Sequence, residues 1–514
     1  MILDQTFIKK IKGKIEEAAL KVMEETYLNH SGFRDESFRP GLKLIEKIVS
    51  YYDYYACGIY ALSAKIKDKD PRALIVFEKL KEHLRIYREE IFKHDIEGVG
   101  YFSIPSRRLL FHLALTYQKI KKDLSAEDQS WFKGFVLEHG QIAIDNHNHF
   151  FPGRTAFHAD PTIHVNNHTA IFMQGIYYCG QVFEIPEWVE MTLDFAKRYF
   201  DDAHPDGYWE ENTNELREGG PSLVYTRLTA ECLYDVLDGK NKKQRIFLKA
   251  GDMFRSLLNY DGCMIPIADE RTNHSNVALG YGLALNSLSS KGRYLIVSHL
   301  ENADFTTMSP ETLSVTYHEL DLMILGDCEV SENKTEGTFQ LTVPIAILRK
   351  NDYTIGASAV LALNKTLKPN SDYALDHQNM LYLSHKEKGI ILNGKKSKRS
   401  DTLSTFKVND DAYTVKTGTI KTTDKTIEAH LFYQTFEAWI KWEINETLKL
   451  TLSVNTEDEV TTILPFDNKP EFNSPVTSKV IELNEFSPYN AENKGSLIKA
   501  LEFKWKHKLE LEFI

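Results

Sequence analysis

Apolar residues recur every three to four positions through the first 300 residues, as between Arg72 and Leu84. That spacing puts the apolar side chains on one face of a helix and predicts amphipathic α-helices. Gly, Pro and Asp residues separate these segments, which indicates turns between the helices. The predicted helices span residues 5–28, 41–66, 72–94, 105–122, 127–145, 168–182, 187–200, 222–238, 242–258 and 275–288.

Consecutive helices with short connections pack as antiparallel hairpins. Hairpins arranged side by side close into an α/α toroid, whose inner helix ends and loops surround a central cleft. The sequence therefore predicts an N-terminal (α/α) toroid over residues 1–300, which would be the catalytic domain.

Beyond residue 300 apolar and polar residues alternate, or β-branched residues follow one another, as is typical of strands. This pattern is found at residues 338–343, 353–360, 438–444 and 448–454. Residues 501–514 alternate almost without interruption and are expected to close a sheet. We therefore expect a C-terminal antiparallel β-sandwich over residues 301–514, and the fold class is α+β, multidomain.

Length and charge agree with this division and exclude some partners. The chain has 514 residues, more than one hydrophobic core usually supports. Its net charge of −11 argues against a nucleic-acid partner. No run of about 18 apolar residues predicts a membrane span. Residues 1–25 lack the apolar run of a secretory signal, so a cytoplasmic location is expected, or a periplasmic or secreted one if a leader was removed.

A polar stretch between Asp145 and Asp235 carries most of the candidate chemistry. It is crowded with imidazoles, amides, carboxylates and aromatic rings, which are costly to bury unless each polar group is satisfied. We therefore expect it to line a wet cleft of the kind that binds sugars or performs acid/base chemistry. The spacing of its histidines, among them His147, His149 and His164, matches no compact zinc motif, and no metal site is predicted.

Two positions in this stretch stand at the start of predicted helices. Asn167 and His168 precede one helix, where the amide could donate to a carboxylate and the imidazole could carry a proton. The alternative is a helix-capping amide and an interior histidine. Tyr225 follows the Gly219-Gly220-Pro221 turn by one helical turn and could act as a phenolate base near the cleft rim. The alternative for Tyr225 is packing.

Other candidates lie in loops and in the second domain. Arg271 could clamp a sugar carboxylate, or pair with an acid of its own loop. His377 begins a predicted strand and could reach the toroid, or make a plain interdomain hydrogen bond. Two carboxylates between Asp206 and Glu218 could serve a glycoside hydrolase, or the segment could be a solvated loop.

Four of these patterns together resemble a known family. They are Asn167-His168 before a helix, Asp206-Gly207 with Glu211, Gly220-Pro221-Ser222 with Tyr225, and the segment His377-Gln378-Asn379 at a strand. With a helical toroid followed by a sandwich, they resemble the heparinase II/III-like polysaccharide lyases and their chondroitin, hyaluronate and alginate lyase relatives.

The resemblance implies a role for each matching residue. Asn167 would neutralise the uronate carboxylate, Tyr225 would transfer the proton, and His168 would support it or act as the base. His377 is the nearest match to the family's histidine patch on the sandwich, although a second histidine is missing. The structural metal that some relatives carry near that patch is therefore possible here but unsupported. The expected substrate contacts are Arg271, Trp209, Tyr208, Glu211 and His164.

The expected function is therefore cleavage of an acidic, uronate-containing oligo- or polysaccharide by β-elimination, with no cofactor required. Two alternatives stay open from the sequence. One is a toroidal glycoside hydrolase that uses a carboxylate pair between Asp206 and Glu218. The other is a member without catalytic activity that binds a glycan in the same cleft.

Overall fold

A computed structural model describes most of the chain, and its residues fall into two compact units. The described residues are 1–24, 57–89, 105–150, 167–209, 221, 223–237, 245–262, 264–265, 267, 282–330, 335–359, 381–392, 405–409, 411–412, 415–484 and 497–514. The helical unit comprises Met1–Ala203, Arg227–Gly251 and Ala278–Glu329. The β unit comprises His204–Thr226, Asp252–Val277 and Val330–Ile514.

The helices follow the predicted pattern closely where both can be compared. They are α1 (Gln5–Val22), α2 (Cys57–Ile66), α3 (Arg72–Tyr87), α4 (Pro105–Ile120), α5 (Ala126–Phe150), α6 (Asn167–Val182), α7 (Pro186–Asp201), α8 (Leu223–Val236), α9 (Arg245–Ser256), α10 (Leu283–Asn286), α11 (Ser290–Asn302) and α12 (Pro310–Leu322). The last two were not predicted. The domain boundary at residue 300 stays a prediction, but helices continue to Leu322.

Side-chain caps explain where several helices begin. Asp4 accepts a hydrogen bond from the backbone N–H of Phe7 at 2.8 Å before α1. Ser289 and Ser309 cap α11 and α12 in the same way, and Pro310 occupies the first turn of α12. These caps satisfy N–H groups that have no partner within the helix, so the chain specifies each start locally.

The first and last helices of the helical unit are neighbours. Helix α1 packs against α12, α12 against α2, α2 against α4, and α4 against α6, which in turn packs against α7. A Cβ atom at Gly58 would lie 2.4 Å from the carbonyl oxygen of Pro310, so α2 and α12 approach too closely for any larger residue there. The short strands β1 (Ile2–Leu3) and β2 (Gly326–Asp327) also pair, which joins the two ends of the unit as a ring of hairpins requires.

The described residues of the β unit form three antiparallel sheets. Its strands are β3 (Gly337–Gln340), β4 (Ile345–Lys350), β5 (Tyr353–Ser358), β6 (Leu381–His385), β7 (Gly389–Leu392), β8 (Lys407–Val408), β9 (Asp411–Ala412), β10 (Thr417–Thr422), β11 (Thr426–Phe432), β12 (Glu437–Ile444), β13 (Leu448–Val454), β14 (Val460–Pro465), β15 (Phe472–Asn473), β16 (Ser478–Asn484), β17 (Leu497–Trp505) and β18 (Lys508–Phe513). The sheet orders are β3-β4-β5-β6-β7, β16-β17-β14-β8-β9 and β10-β11-β12-β13-β18-β15.

One hydrophobic core joins these sheets. In β12 the inward residues Ala438, Ile440, Trp442 and Ile444 are buried, while the residues between them are partly exposed. The indole N–H of Trp442 donates to the carbonyl oxygen of Gly356 at 3.2 Å, which satisfies the one polar group of a fully buried ring. The period of two predicted for a half-buried strand is therefore confirmed.

The C-terminal segment differs from the expectation of a single sheet. Residues 501–514 contribute to β17 and β18, which belong to different sheets. The reversal occurs at His507, whose backbone φ is 58°, in the left-handed region. Alternation alone does not reveal this turn, because Lys506 and Lys508 occupy exposed positions of the pattern and only His507 replaces an apolar residue between Trp505 and Leu509.

The predicted fold class, helices followed by antiparallel sheets, is confirmed. Among the residues that the structure describes, no helix combines the length and apolar character needed to cross a bilayer.

Candidate active site

Three residues of the toroid were expected to carry its chemistry. The structure describes the backbone of all three and the side chain of one. Asn167 is the first residue of α6, and its side chain is buried. His168 follows it, and Tyr225 is the third residue of α8. The side chains of His168 and Tyr225 lie outside the described part of the chain. The other predicted site residues outside it are His164, Glu211, Arg271 and His377.

Tyr208 and Trp209, which were expected to contact substrate, are enclosed in this structure. Tyr208 has no exposed surface and Trp209 is 2% exposed. The Tyr208 ring stacks on His204 at 4.2 Å between ring centroids, and the carbonyl oxygen of Trp209 accepts a hydrogen bond from the Thr226 hydroxyl at 2.7 Å. The two rings act here as packing groups of the β unit, and their contact with a sugar stays a prediction.

Asp206, the first carboxylate of the possible hydrolase pair, is engaged in a structural contact. One of its oxygens accepts from both the backbone N–H and the hydroxyl of Thr342, at 2.8 Å and 2.6 Å. These bonds tie the segment before Tyr208 to the turn before β4. A catalytic role for Asp206 would first require their loss. The other acids of that segment lie outside the described residues.

A buried polar network connects three helices of the helical unit. The carboxylate of Asp235 on α8 accepts hydrogen bonds from Gln174 Nε2 (2.6 Å) and the Tyr178 hydroxyl (2.7 Å), both on α6. It also accepts from His318 Nε2 on α12 at 3.0 Å. Three donors on one buried carboxylate fix the relative position of α6, α8 and α12 more tightly than apolar contacts alone.

The protonation states of this network follow from its surroundings. Burial by itself would raise the pKa of Asp235, but the charge of His318 and the three hydrogen bonds outweigh it and hold the pKa below its usual value. Burial, and then the nearby charge of Asp235, raise the pKa of the Tyr178 hydroxyl far above its usual value. Tyr178 therefore stays protonated and serves as a donor, not as a base.

An ion pair extends the network to a fourth helix. Arg108 Nε on α4 lies 3.1 Å from a carboxylate oxygen of Glu311 on α12, and both side chains are more than nine-tenths buried. Arg108 Nη1 also donates to the side-chain oxygen of Gln174 at 3.4 Å. The polar contacts therefore form a closed circuit that runs from α12 through α4, α6 and α8 and back to α12.

Two further acids meet beside this circuit. Glu231 on α8 faces Glu319 on α12, and the backbone N–H of Leu283 donates to Glu319 at 3.1 Å. Burial raises the pKa of both carboxyls, to about 8 for Glu319. The charge of Glu319 raises the pKa of Glu231 further, and the charge of Arg227 lowers the pKa of both. Two ionised carboxylates could not donate to each other, so the pair holds a proton at neutral pH.

This pair predicts a loss of stability with rising pH. A carboxyl whose pKa is higher in the folded state stabilises the fold below its unfolded pKa and loses that contribution as the pH rises through the folded pKa. The contribution of the pair to the melting temperature of the parent chain should therefore fall between about pH 5 and pH 8. In the variant Glu231→Gln, whose amide resembles the protonated carboxyl, the fall should be smaller.

Thermal unfolding at several pH values measures this difference. Glu17→Gln, at an exposed carboxyl of α1, is the control and should follow the parent curve. Parallel curves for the parent and Glu231→Gln would show that the pair is ionised in both folded and unfolded states.

Sequence reasoning found none of this network. Gln174, Asp235 and His318 come from three helices far apart in the chain, and their spacing within each helix carries no motif. Helix α12 was not predicted at all. In the described part of the chain, no group of three or more His, Cys, Asp or Glu side chains could hold a metal ion.

Comparison with solved structures identifies the fold. The chain aligns with the chondroitin AC lyase of Streptomyces coelicolor A3, solved in complex with chondroitin sulphate, over 98% of its own length and 79% of the other, at a TM-score of 0.59 and 11% identity. The chain has the chondroitin AC lyase fold. Heparinase III is also similar, with a TM-score of 0.53 and 10% identity over 89% of this chain and 76% of that one. No protein-family model and no curated protein sequence matches the chain.

The lyase fold confirms the resemblance at the level of architecture. The buried circuit is connected with the candidate site, because α6 begins at Asn167 and α8 carries Tyr225 in its first turn. The bonds from Gln174 and Tyr178 to Asp235 join these two helices farther along their length.

Proposed function

We propose that this chain is a polysaccharide lyase that cleaves uronate-containing glycans by β-elimination. The observation that carries the proposal is the chondroitin AC lyase fold, which extends over 98% of the chain. At 11% identity a shared fold does not establish a shared activity, so the proposal also requires suitable catalytic residues. Those residues are Asn167, His168 and Tyr225 at the starts of α6 and α8.

The chemistry demanded by a uronate matches these residue types. The proton on C5 becomes acidic enough to remove only when the adjacent carboxylate is neutralised, and the Asn167 amide would donate a hydrogen bond to it. Tyr225, or His168, would then take the C5 proton. The C4–O bond breaks as the C4–C5 double bond forms, and the leaving oxygen regains a proton from the tyrosine. No water attacks and no covalent intermediate is needed.

The remaining roles complete the proposed site. Arg271 would bind the substrate carboxylate through its planar guanidinium, and His377 would contribute from the β unit. Tyr208, Trp209, Glu211 and His164 are proposed as further substrate contacts. The partner would be an acidic oligo- or polysaccharide, as in the chondroitin sulphate complex of the Streptomyces coelicolor enzyme.

The first test is a direct assay for the unsaturated product. Purified protein is incubated with alginate, chondroitin, heparan, hyaluronan and pectic oligosaccharides while ultraviolet absorbance is recorded. A rise in absorbance would report the conjugated 4,5-unsaturated uronate that elimination produces, and it would identify the substrate. New reducing ends without that rise would favour a hydrolase instead. Binding without either signal would favour a non-catalytic glycan-binding protein.

Asn167→Ala is expected to lower turnover on the preferred uronate by about 100-fold, because it removes a donor that stabilises charge developing on the carboxylate. Initial rates of product absorbance measure the effect. Asn302→Ala is the matched control, since that amide donates to the Ser298 carbonyl on the exposed surface of α11 at 2.9 Å. If Asn167→Ala lowers only the melting temperature and leaves turnover unchanged, Asn167 is a structural amide of α6.

A further inference from the structure

The outer face of the six-stranded sheet carries a row of aromatic rings. His430 and Phe432 on β11 and Trp439 on β12 point away from the core and are half-buried. The His430 ring stacks on Trp439, with 4.6 Å between centroids and 19° between planes, and lies 4.0 Å from Phe432. His430 Nε2 also donates to a carboxylate oxygen of Glu437 at 2.8 Å. We call these three rings the aromatic ladder.

Trp439 is covered by a ring on one side and by a small residue on the other. His430 is its partner across β11, and Ser453 is its partner across β13. Because the stacking with His430 runs across the strands, the second face of the indole is turned toward β13. Ser453 is too short to cover an indole, and Trp439 is partly exposed.

A groove lies farther along the same face of the sheet. It has a volume of about 340 Å³ and lies over β13, β15 and β18. Thr451, which lines it, is two residues from Ser453 along β13, a distance of about 7 Å. The polar side chains around the groove are Lys449, Thr451, Asn473, Ser474, Glu510 and Glu512. A volume near the lower end of the range for ligand pockets suits one or two sugar rings.

The charges of this face select the kind of sugar. Lys441 lies 3.3 Å from Glu428 and 3.2 Å from Glu443. Lys449 lies 3.6 Å from Glu512, and Lys508 lies 2.7 Å from Glu510. Each of these three lysines is thus already paired with a carboxylate, and the carboxylates outnumber them. A uronate or sulfate group would meet net repulsion here, whereas hydroxyl groups would find both donors and acceptors.

We propose that this face is a second saccharide-binding site, specific for neutral glycans and separate from the proposed lyase site. The apolar face of one pyranose ring stacks on Trp439 above Ser453. Its hydroxyl groups, or those of the next sugar, bond to Thr451, Asn473 and Glu510 in the groove. The site does not depend on the lyase proposal, since it shares no residue with the proposed lyase site.

Neutral hexasaccharides test the site in the full-length protein. Cellohexaose, maltohexaose, xylohexaose and mannohexaose are titrated in turn by isothermal calorimetry, and at least one should bind. Trp439→Ala should weaken that binding at least about tenfold through loss of the stacked ring. Ser453→Tyr should weaken it to a similar extent by covering the open indole face. Ser453→Ala leaves the face open and should bind as the parent does.

The serine variants keep the test valid if Trp439→Ala unfolds, because neither alters the core. The proposal is overturned if none of the four neutral hexasaccharides binds, or if binding survives Ser453→Tyr. It is also overturned if only an acidic hexasaccharide of hyaluronan or an oligolysine peptide binds this face. Ultraviolet assays of Ser453→Tyr should give elimination rates within about twofold of the parent. A failure of the saccharide-binding proposal is therefore distinguishable from a failure of the lyase proposal.

Discussion

Replacing Tyr225 by phenylalanine should lower turnover on the preferred uronate substrate by about 1,000-fold. The change keeps the aromatic ring and removes only the hydroxyl that would exchange the proton between C5 and the leaving oxygen. General acid and base groups typically contribute factors of about 100 to 10,000, and one hydroxyl would perform both steps here. Steady-state kinetics from product absorbance give kcat, and calorimetric titration of the inactive variant shows whether substrate still binds.

The chain offers a matched control on a neighbouring helix. Tyr177 is on α6, and its hydroxyl accepts from the exposed side chain of Gln181 at 2.7 Å. Tyr177→Phe removes the same group and should leave kcat within about twofold. A Tyr225→Phe variant with parental turnover would contradict the elimination mechanism. If the chain binds uronate glycans but neither parent nor variant yields product, it is a binding protein.

Replacing Asp235 by alanine should lower the free energy of unfolding by about 3–5 kcal/mol. The substitution leaves the donors of Gln174, Tyr178 and His318 without their common acceptor in the interior of the helical unit. Buried donors that lose a charged acceptor cost far more than the bond itself contributed. Denaturant unfolding followed by circular dichroism measures the change.

Two further substitutions show whether the lost free energy of unfolding comes from the buried network. Asp235→Asn keeps the shape and one acceptor oxygen, so it should cost less than Asp235→Ala. Asp194→Ala removes an exposed carboxylate that pairs with Arg198 on the surface of α7 at 3.1 Å, and it should cost at most about 1 kcal/mol. Equal losses for Asp235→Ala and Asp194→Ala would show that the buried network does not hold the helices together.

Acid unfolding provides an independent check on Asp235. Its pKa is lowered in the folded state, so its contribution is present above the unfolded pKa and is lost as the pH falls through the folded pKa. This direction is opposite to that of Glu231 and Glu319. The Asp235→Asn variant should therefore become more similar to the parent in stability as the solution is acidified.

The success of the helix predictions has a simple physical reason. Helices such as α1 bury one face, with Phe7, Ile8, Ile11 and Ile15 inside and charged residues outside. In such a helix the apolar residues recur every three to four positions, so the sequence alone predicts it. Helix α12 does not, because it also buries Glu311, Ser314, Thr316 and Glu319. Polar residues on its inner side interrupt the apolar period. The cap at Ser309 and Pro310 was the one local signal of this helix.

The candidate site shows a similar limit. Residue type and position at a helix start were enough to select Asn167 and Tyr225, because both belong to recognisable local patterns. The circuit through Arg108, Gln174 and Asp235 depends on which helices are neighbours. Such pairs arise from the tertiary fold, and a single sequence contains no signal that joins residues from separate helices. The burial of Tyr208 and Trp209 was missed for the same reason.

The position of β18 within its sheet has a consequence for biosynthesis. This strand, Lys508–Phe513, does not lie at an edge: it pairs with β13 on one side and β15 on the other. The six-stranded sheet therefore cannot be completed until residue 513 has left the ribosome. While the chain is being made, β13 presents an unpaired strand edge that could join another nascent chain. Until β18 pairs with β13, the β unit is therefore open to association with other nascent chains, which a chaperone would prevent.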